Sequence, residues 1–142
     1  MMMLLPIVVG LAIVLQSGLN RVIAETRGLA LALMINAVLV ALLTGGFLLW
    51  VHRAPSAPAF LRGTVGWQWW YFIPALCGFV ITLGIPWALS RIGAGAVFAL
   101  IIATQLLGSL AWDAIVEHRV IGVGKLAAAA LTAVGALIFV NL

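Results

Sequence analysis

Five long apolar segments follow one another along the chain, and they limit its fold more than any other feature. They cover residues 4–22, 29–51, 69–89, 94–116 and 122–142. About 20 apolar residues in a helix cross a hydrocarbon core about 30 Å thick, so each segment has the length of a membrane span. The segments are continuous runs without the alternating pattern of spanning strands. We predict an all-α integral membrane protein, a bundle of about five transmembrane helices in one domain over residues 1–142.

The composition agrees with a protein that is surrounded by lipid. Of the 142 residues, 66% are hydrophobic and 7% are charged, whereas soluble domains are about half apolar and about a quarter charged. The net charge of +4 comes from single basic residues between apolar runs, and no basic cluster is present to bind phosphates. We therefore expect the lipid bilayer and no nucleic acid as a partner. The first apolar run lacks a basic region before it and is predicted to be a helix rather than a removable signal.

Residues that catalyse reactions or bind metals are not grouped in this sequence. The single cysteine, Cys77, lies within an apolar segment and is expected to be buried as a small hydrophobe. His52 and His118 fall in separate connections, and no metalloprotease, nucleophile-elbow or phosphate-loop motif is present. We predict that the protein is not an enzyme and has no catalytic residue, metal or cofactor.

Basic residues in the connections give little preference for one orientation in the membrane. With five spans, four of them fall on one side and three on the other: Arg53, Arg62, Arg119 and Lys125 against Arg21, Arg27 and Arg91. The side with more Lys and Arg normally stays in the cytoplasm. A difference of one predicts that both orientations occur.

Neutral polar residues recur near the middle of four predicted helices. With a rise of 1.5 Å per residue, four of them fall within a layer about 8 Å thick: Gln16, Asn36, Thr82 and Gln105. Polar groups in hydrocarbon face the interior of a bundle or a cavity, and transporters bind their substrates near the midplane. This layer predicts a site for a small solute, and hydrogen bonds that only hold the helices together are the alternative.

No carboxylate falls at the predicted membrane centre. Glu25 is in a connection, and Asp113 and Glu117 are at the end of the fourth predicted helix. A permanently cationic substrate would need a buried carboxylate, so a neutral or zwitterionic solute is favoured. Asp113 is a candidate for proton coupling at the rim of the pathway, with a solvated interfacial carboxylate as the alternative.

Two predicted helices carry small or helix-bending residues at four-residue intervals. The third has the series Pro74, Gly78, Thr82, Pro86 and Ser90. Its two prolines favour a bend in the helix, which could gate a pathway. Packing of this series against a neighbouring helix is the alternative. The fifth has a stripe of small residues that predicts a close dimer interface: Gly124, Ala128, Thr132 and Ala136.

Three short motifs resemble those of the YdcZ-like branch of the drug/metabolite transporter superfamily. They are Gln16-Ser-Gly-Leu-Asn20, Arg91-Ile-Gly-Ala94, and Gln105-Leu-Leu-Gly-Ser109 followed by Asp113. The resemblance covers nearly the whole chain and implies a half-length transporter of the bacterial inner membrane, where full-length members look like two halves fused as inverted repeats. It also implies recurrent polar positions at Gln16, Asn20, Gln105, Ser109 and Asp113. Ala114 and Ile115 stand where the typical member has a glycine soon after the Asp.

These features predict a transporter that exports or exchanges a small neutral or zwitterionic metabolite by alternating access as a dimer. The predicted substrate-binding residues are Gln16, Asn20, Asn36, Thr82, Gln105 and Ser109. The partner is expected to be a second copy in the opposite orientation, or a homologue. A channel for small solutes or ions, and an accessory or scaffold subunit that transports nothing, are the alternatives.

Overall fold

A computed structural model of the protein describes residues 4–58, 61, 63 and 66–142. They form four α-helices and a short 3-10 turn at Trp69–Tyr71, with no strand among the described residues. The helices are α1 (Leu4–Arg27), α2 (Leu29–Arg53), α3 (Phe72–Ile115) and α4 (Val123–Asn141). Each is long and apolar enough to cross a membrane, which confirms the all-α membrane fold. Arg62, one of the basic residues counted for orientation, lies outside the described residues.

α3 is 44 residues long and is interrupted at Gly93, which has φ 79° and ψ 164°. This backbone conformation is essentially restricted to glycine. About 20 residues are enough for one span, and the break leaves two segments of about that length, 72–92 and 94–115. These segments correspond to the third and fourth predicted helices, so the structure agrees with the expectation of about five.

α1 extends five residues beyond its predicted end at residue 22. The ion pair between Arg21 Nε and Glu25 Oε1, 2.7 Å apart, joins successive turns, and the Thr26 hydroxyl donates to the Val22 carbonyl. The prediction that the first helix ends at residue 22 and is followed by a connection was therefore wrong, because residues 23–27 are also helical and only Gly28 separates α1 from α2. Gly28 has φ 91°, in the left-handed region that favours glycine.

The other helix ends lie within three residues of their predicted positions. Pro74 lies in the first turn of α3, where the missing backbone N–H removes no helical hydrogen bond. Pro86 lies inside the helix. The physical reason to expect a bend therefore applies to Pro86 and not to Pro74.

The chain divides into two compact units, Met1–Trp87 and Ala88–Leu142. In the first unit α1 packs beside α2, and Ala32 and Val51 are almost completely buried. In the second unit α3 and α4 approach closely at Gly95, where an added Cβ would lie 2.8 Å from Cε1 of Phe139. The organisation of residues 1–142 as a single domain stays a prediction.

Large apolar side chains cover much of the described surface, as at Leu43 and Leu131, each 74% exposed. Such a surface is suited to lipid, where an exposed apolar side chain carries no hydration cost. Cys77 is also exposed. The expectation that it is buried was wrong, because an apolar residue on a spanning helix can face lipid as readily as the protein interior.

The break at Gly93 predicts a specific loss of stability. Replacing Gly93 with Ala should lower the free energy of unfolding by about 1–3 kcal/mol, because the side chain is forced into a conformation that only glycine tolerates. Gly108→Ala is the matched control, since Gly108 is helical and an added Cβ there meets nothing within 4 Å. Unfolding in mixed micelles measures both variants, and equal losses would contradict the assigned role of Gly93.

Candidate functional site

An open groove of about 390 Å³ runs between α1 and α2 in the first unit. Its volume lies toward the lower end of the range of about 300–1,000 Å³ that is usual for ligand pockets. Six aliphatic residues and three amides line it: Ala12, Leu15, Leu19, Ile23, Ile35 and Leu39, with Gln16, Asn20 and Asn36. The groove therefore combines an apolar wall with a small set of hydrogen-bonding groups.

A direct hydrogen bond between two predicted site residues joins the helices across this groove. Gln16 Nε2 donates to Asn36 Oδ1 at 2.9 Å. The one-residue turn at Gly28 brings α2 back beside α1, and this return places the two side chains opposite each other. The bond leaves Gln16 Oε1 as an acceptor and the Asn36 amide nitrogen as a donor. The pair thus joins the two helices and keeps hydrogen-bonding capacity that this bond does not use.

Asn20 supplies the third amide of the groove, one turn after Gln16 on the same face of α1. It is 8% exposed, and its neighbour Ser17 is 6% exposed. Among the described residues, no buried side-chain nitrogen or oxygen lacks a hydrogen-bond partner. No fully buried polar atom of Asn20 is therefore left without a hydrogen-bond partner.

The groove carries no formal charge on any of its described lining residues. The nearest charges along α1 are Arg21 and Glu25, which pair with each other. In the second unit, Arg119 Nη2 lies 2.7 Å from Glu117 Oε2. The described part of the chain holds no group of three or more His, Cys, Asp or Glu that would bind a metal.

The other predicted site residues do not line this groove. Thr82, in the first unit, is half-buried and its hydroxyl donates to the Gly78 carbonyl of its own helix at 2.8 Å. Gln105 and Ser109 belong to the second unit and are exposed, and the Ser109 hydroxyl donates to the Leu106 carbonyl. Asp113 is half-buried. A role for these residues in one site with Gln16 stays a prediction.

The aliphatic wall of the groove was not predicted, although the sequence contains its signal. Ala12, Gln16, Leu19 and Ile23 recur at spacings of three and four, which place side chains on one helix face. This face is apolar apart from the amides. The aliphatic residues on the helix face of Gln16 therefore indicate the wall from the sequence alone.

The small-residue stripe on α4 is only partly exposed. Gly124 and Ala128 are exposed, Thr132 is half-buried, and Ala136 is 7% exposed. Steps of four residues rotate by about 40° around an α-helix, so the stripe does not keep to one face. The exposed part of the stripe is therefore its first half, Gly124 and Ala128. The role of the stripe in a dimer stays a prediction.

The helices define a small multi-pass membrane protein, with a groove between α1 and α2 that three amides line. A family model described as "Putative inner membrane exporter, YdcZ" matches residues 1–138, and the chain belongs to this family. It is 29% identical to the inner membrane protein YdcZ of Escherichia coli (strain K12) over 114 residues, which are 80% of this chain and 75% of the relative. No solved structure is significantly similar to the chain.

Membership of this family confirms the resemblance seen in the three short motifs. It also confirms a multi-pass protein of the bacterial inner membrane. An exporter family is a family of membrane transporters, which agrees with the predicted class of protein and points away from an enzyme.

The hydrogen bond across the groove predicts coupling between Gln16 and Asn36. Each of Gln16→Leu and Asn36→Leu should destabilise the protein, because it leaves the other amide without its partner. The double variant should lose less than the two single losses together, with a coupling energy of about 0.6 kcal/mol and at most about 1.7 kcal/mol. A double-mutant cycle of unfolding measures this coupling, and strictly additive losses would contradict the bond.

Proposed function

We propose that the protein exports or exchanges a small neutral or zwitterionic metabolite by alternating access, with the groove between α1 and α2 as part of the substrate site. The observation that carries the proposal is the meeting of three amides, Gln16, Asn20 and Asn36, at one solute-sized groove. Neutral amides bind a solute through hydrogen bonds without requiring a charge on it. Such contacts are moderate in strength, which suits a site that must also release its solute.

Four residues outside the groove are also proposed to contribute to transport. We expect Gln105 and Ser109 to contribute further hydrogen bonds, since Gln105 falls at about the depth of Gln16 by helix rise and both are polar within an apolar helix. Thr82 is proposed to border the same pathway. Asp113, near the end of α3, is proposed to take part in proton coupling.

Solute exchange in proteoliposomes tests this function. A panel of neutral and zwitterionic metabolites is first screened by thermal stability, because a ligand that binds the folded state stabilises it. Radiolabelled hits should then enter faster when unlabelled solute is present on the opposite side. The double variant Gln16→Leu/Asn36→Leu should lower this exchange about tenfold or more, since both polar groups of the pair are lost.

Thr44→Val is the matched control for that experiment. The Thr44 hydroxyl donates to the Val40 carbonyl of its own helix at 2.8 Å, and Thr44 is not among the residues that line the α1–α2 groove. Its exchange rate should stay close to that of the unchanged protein. Uptake without acceleration by opposite-side solute would indicate a channel, and no uptake of any hit would indicate a scaffold.

An antiparallel homodimer is the proposed working unit. Five spans place the two ends of the chain on opposite sides, and the basic residues divide four to three. Two inverted copies would create by association the inverted repeats that surround a midplane site in many transporters. A twofold axis in the membrane plane makes the contact self-complementary. The exposed Gly124 and Ala128 of α4 offer a close-packing surface for it.

Labelling of a single cysteine tests the orientation. In a Cys77→Ala background, His52→Cys places a thiol beside Arg53 at an exposed position. About half of the molecules should react with an impermeant thiol reagent in intact cells. Labelling near zero or near completion would show one fixed orientation and exclude the antiparallel homodimer.

Two matched charge changes control the labelling experiment. Ser56→Lys adds a basic residue on the His52 side and should lower labelling, because that side is then retained in the cytoplasm more often. Thr26→Lys adds one at the end of α1 and should raise labelling. Both positions are exposed, so neither change is expected to disturb packing.

A further inference from the structure

The hydrogen-bonded pair of the groove keeps a donor and an acceptor that its own bond does not use. The bond from Gln16 Nε2 to Asn36 Oδ1 uses one donor and one acceptor of the two amides. Gln16 Oε1 is left as an acceptor, and the Asn36 amide nitrogen is left as a donor. A ligand that carries a donor and an acceptor on one small group matches both, and a carboxamide has this combination.

The rest of the groove favours a ligand without formal charge. Its remaining walls are aliphatic apart from Asn20. The charges closest to it along the chain, Arg21 and Glu25, satisfy each other at 2.7 Å. A zwitterion would bring an ammonium and a carboxylate into a site with no opposite charge for either, and both ions would lose hydration. A neutral carboxamide loses only its hydrogen bonds to water, which the amide pair replaces.

The aliphatic residues also predict the second part of the ligand. Leu15, Leu19 and Leu39 form a wall beside the amides, and apolar area removed from water adds to binding. The groove volume of about 390 Å³ suits a small molecule. The ligand is therefore a compact amphipathic molecule with a polar head and an aliphatic body.

We infer that the groove selects neutral amphipathic solutes with a carboxamide-like head, and that it discriminates against zwitterions, cations and anions of similar shape. This inference rests on the proposed function and narrows its substrate class. Gln16 and Asn36 are the residues that recognise the head, and the aliphatic wall recognises the body.

Four probes that share the leucine side chain test this selectivity on the purified full chain. N-acetyl-L-leucinamide is neutral, L-leucine is a zwitterion, L-leucinamide is a cation and N-acetyl-L-leucine is an anion. Binding is measured by calorimetry at about pH 6, well below the α-amino pKa of about 7.7–8.0, so that the amino groups of the probes are protonated. The neutral probe should bind at least about tenfold more tightly than each of the other three.

Variants connect that selectivity to the groove. The Gln16→Leu/Asn36→Leu variant replaces both partners with apolar groups, a change that is often nearly neutral for stability, and it should lose at least about tenfold in affinity for N-acetyl-L-leucinamide. Thr44→Val should bind it as the unchanged protein does. Gln16→Glu introduces a carboxylate of almost the same shape and should improve binding of the cationic probe by about tenfold.

The outcomes separate this inference from the proposed function. Equal or tighter binding of L-leucine that depends on Gln16 and Asn36 would overturn the selectivity for neutral solutes and leave the transport proposal intact. Binding of the neutral probe that survives in the double variant would overturn the assignment to the groove. Absence of binding by all four probes would also overturn the inference, whereas solute exchange with the wider metabolite panel decides the transport proposal independently.

Discussion

Backbone amide and carbonyl groups in hydrocarbon have no water to bond with, so the protein must satisfy them itself. Helices do this over almost the whole described chain. The link between α1 and α2 leaves only one residue, Gly28, outside a helix. The Gly28 N–H donates to the Ala24 carbonyl at 2.9 Å, and the Gly28 carbonyl accepts from the Ala32 N–H at 3.1 Å. Only a glycine takes the required backbone angles readily, so the chain reverses at one residue whose own N–H and carbonyl are both hydrogen-bonded.

This short turn also determines which side chains of α1 and α2 meet. A turn of one residue leaves little freedom in the register of two helices that pack side by side. In this register Gln16 reaches Asn36, and the aliphatic side chains around them form the groove. A longer and more flexible connection would permit other registers. The contact between Gln16 and Asn36 thus depends on the same glycine whose N–H and carbonyl are hydrogen-bonded to the two helices.

The Gln16–Asn36 bond joins two helices, and it is compatible with both interpretations of the sequence, a clamp between helices and a binding site. Amide side chains carry both donors and acceptors, so one bond between them does not use all of their capacity. A pair of charges of opposite sign would hold the helices too, but it would need far more compensation in a low dielectric. Neutral amides therefore join two helices in hydrocarbon at a lower desolvation cost than a pair of charges would.

The sequence by itself determined the membrane-spanning segments and the family, and it singled out Gln16, Asn20 and Asn36 as candidates, because hydropathy, short motifs and isolated polar residues are local signals. Only the tertiary structure decided that residues 23–27 are helical, that Gln16 pairs with Asn36, and that Cys77 is exposed. The extension of α1 rests on local polar contacts such as Arg21–Glu25, which a hydropathy pattern does not register.

The pairing of Gln16 with Asn36 depends on the register between two helices, and the exposure of Cys77 depends on which face of its helix meets protein. Both are properties of packing, and in an almost uniformly apolar helix the pattern of residues does not distinguish a face toward protein from a face toward lipid.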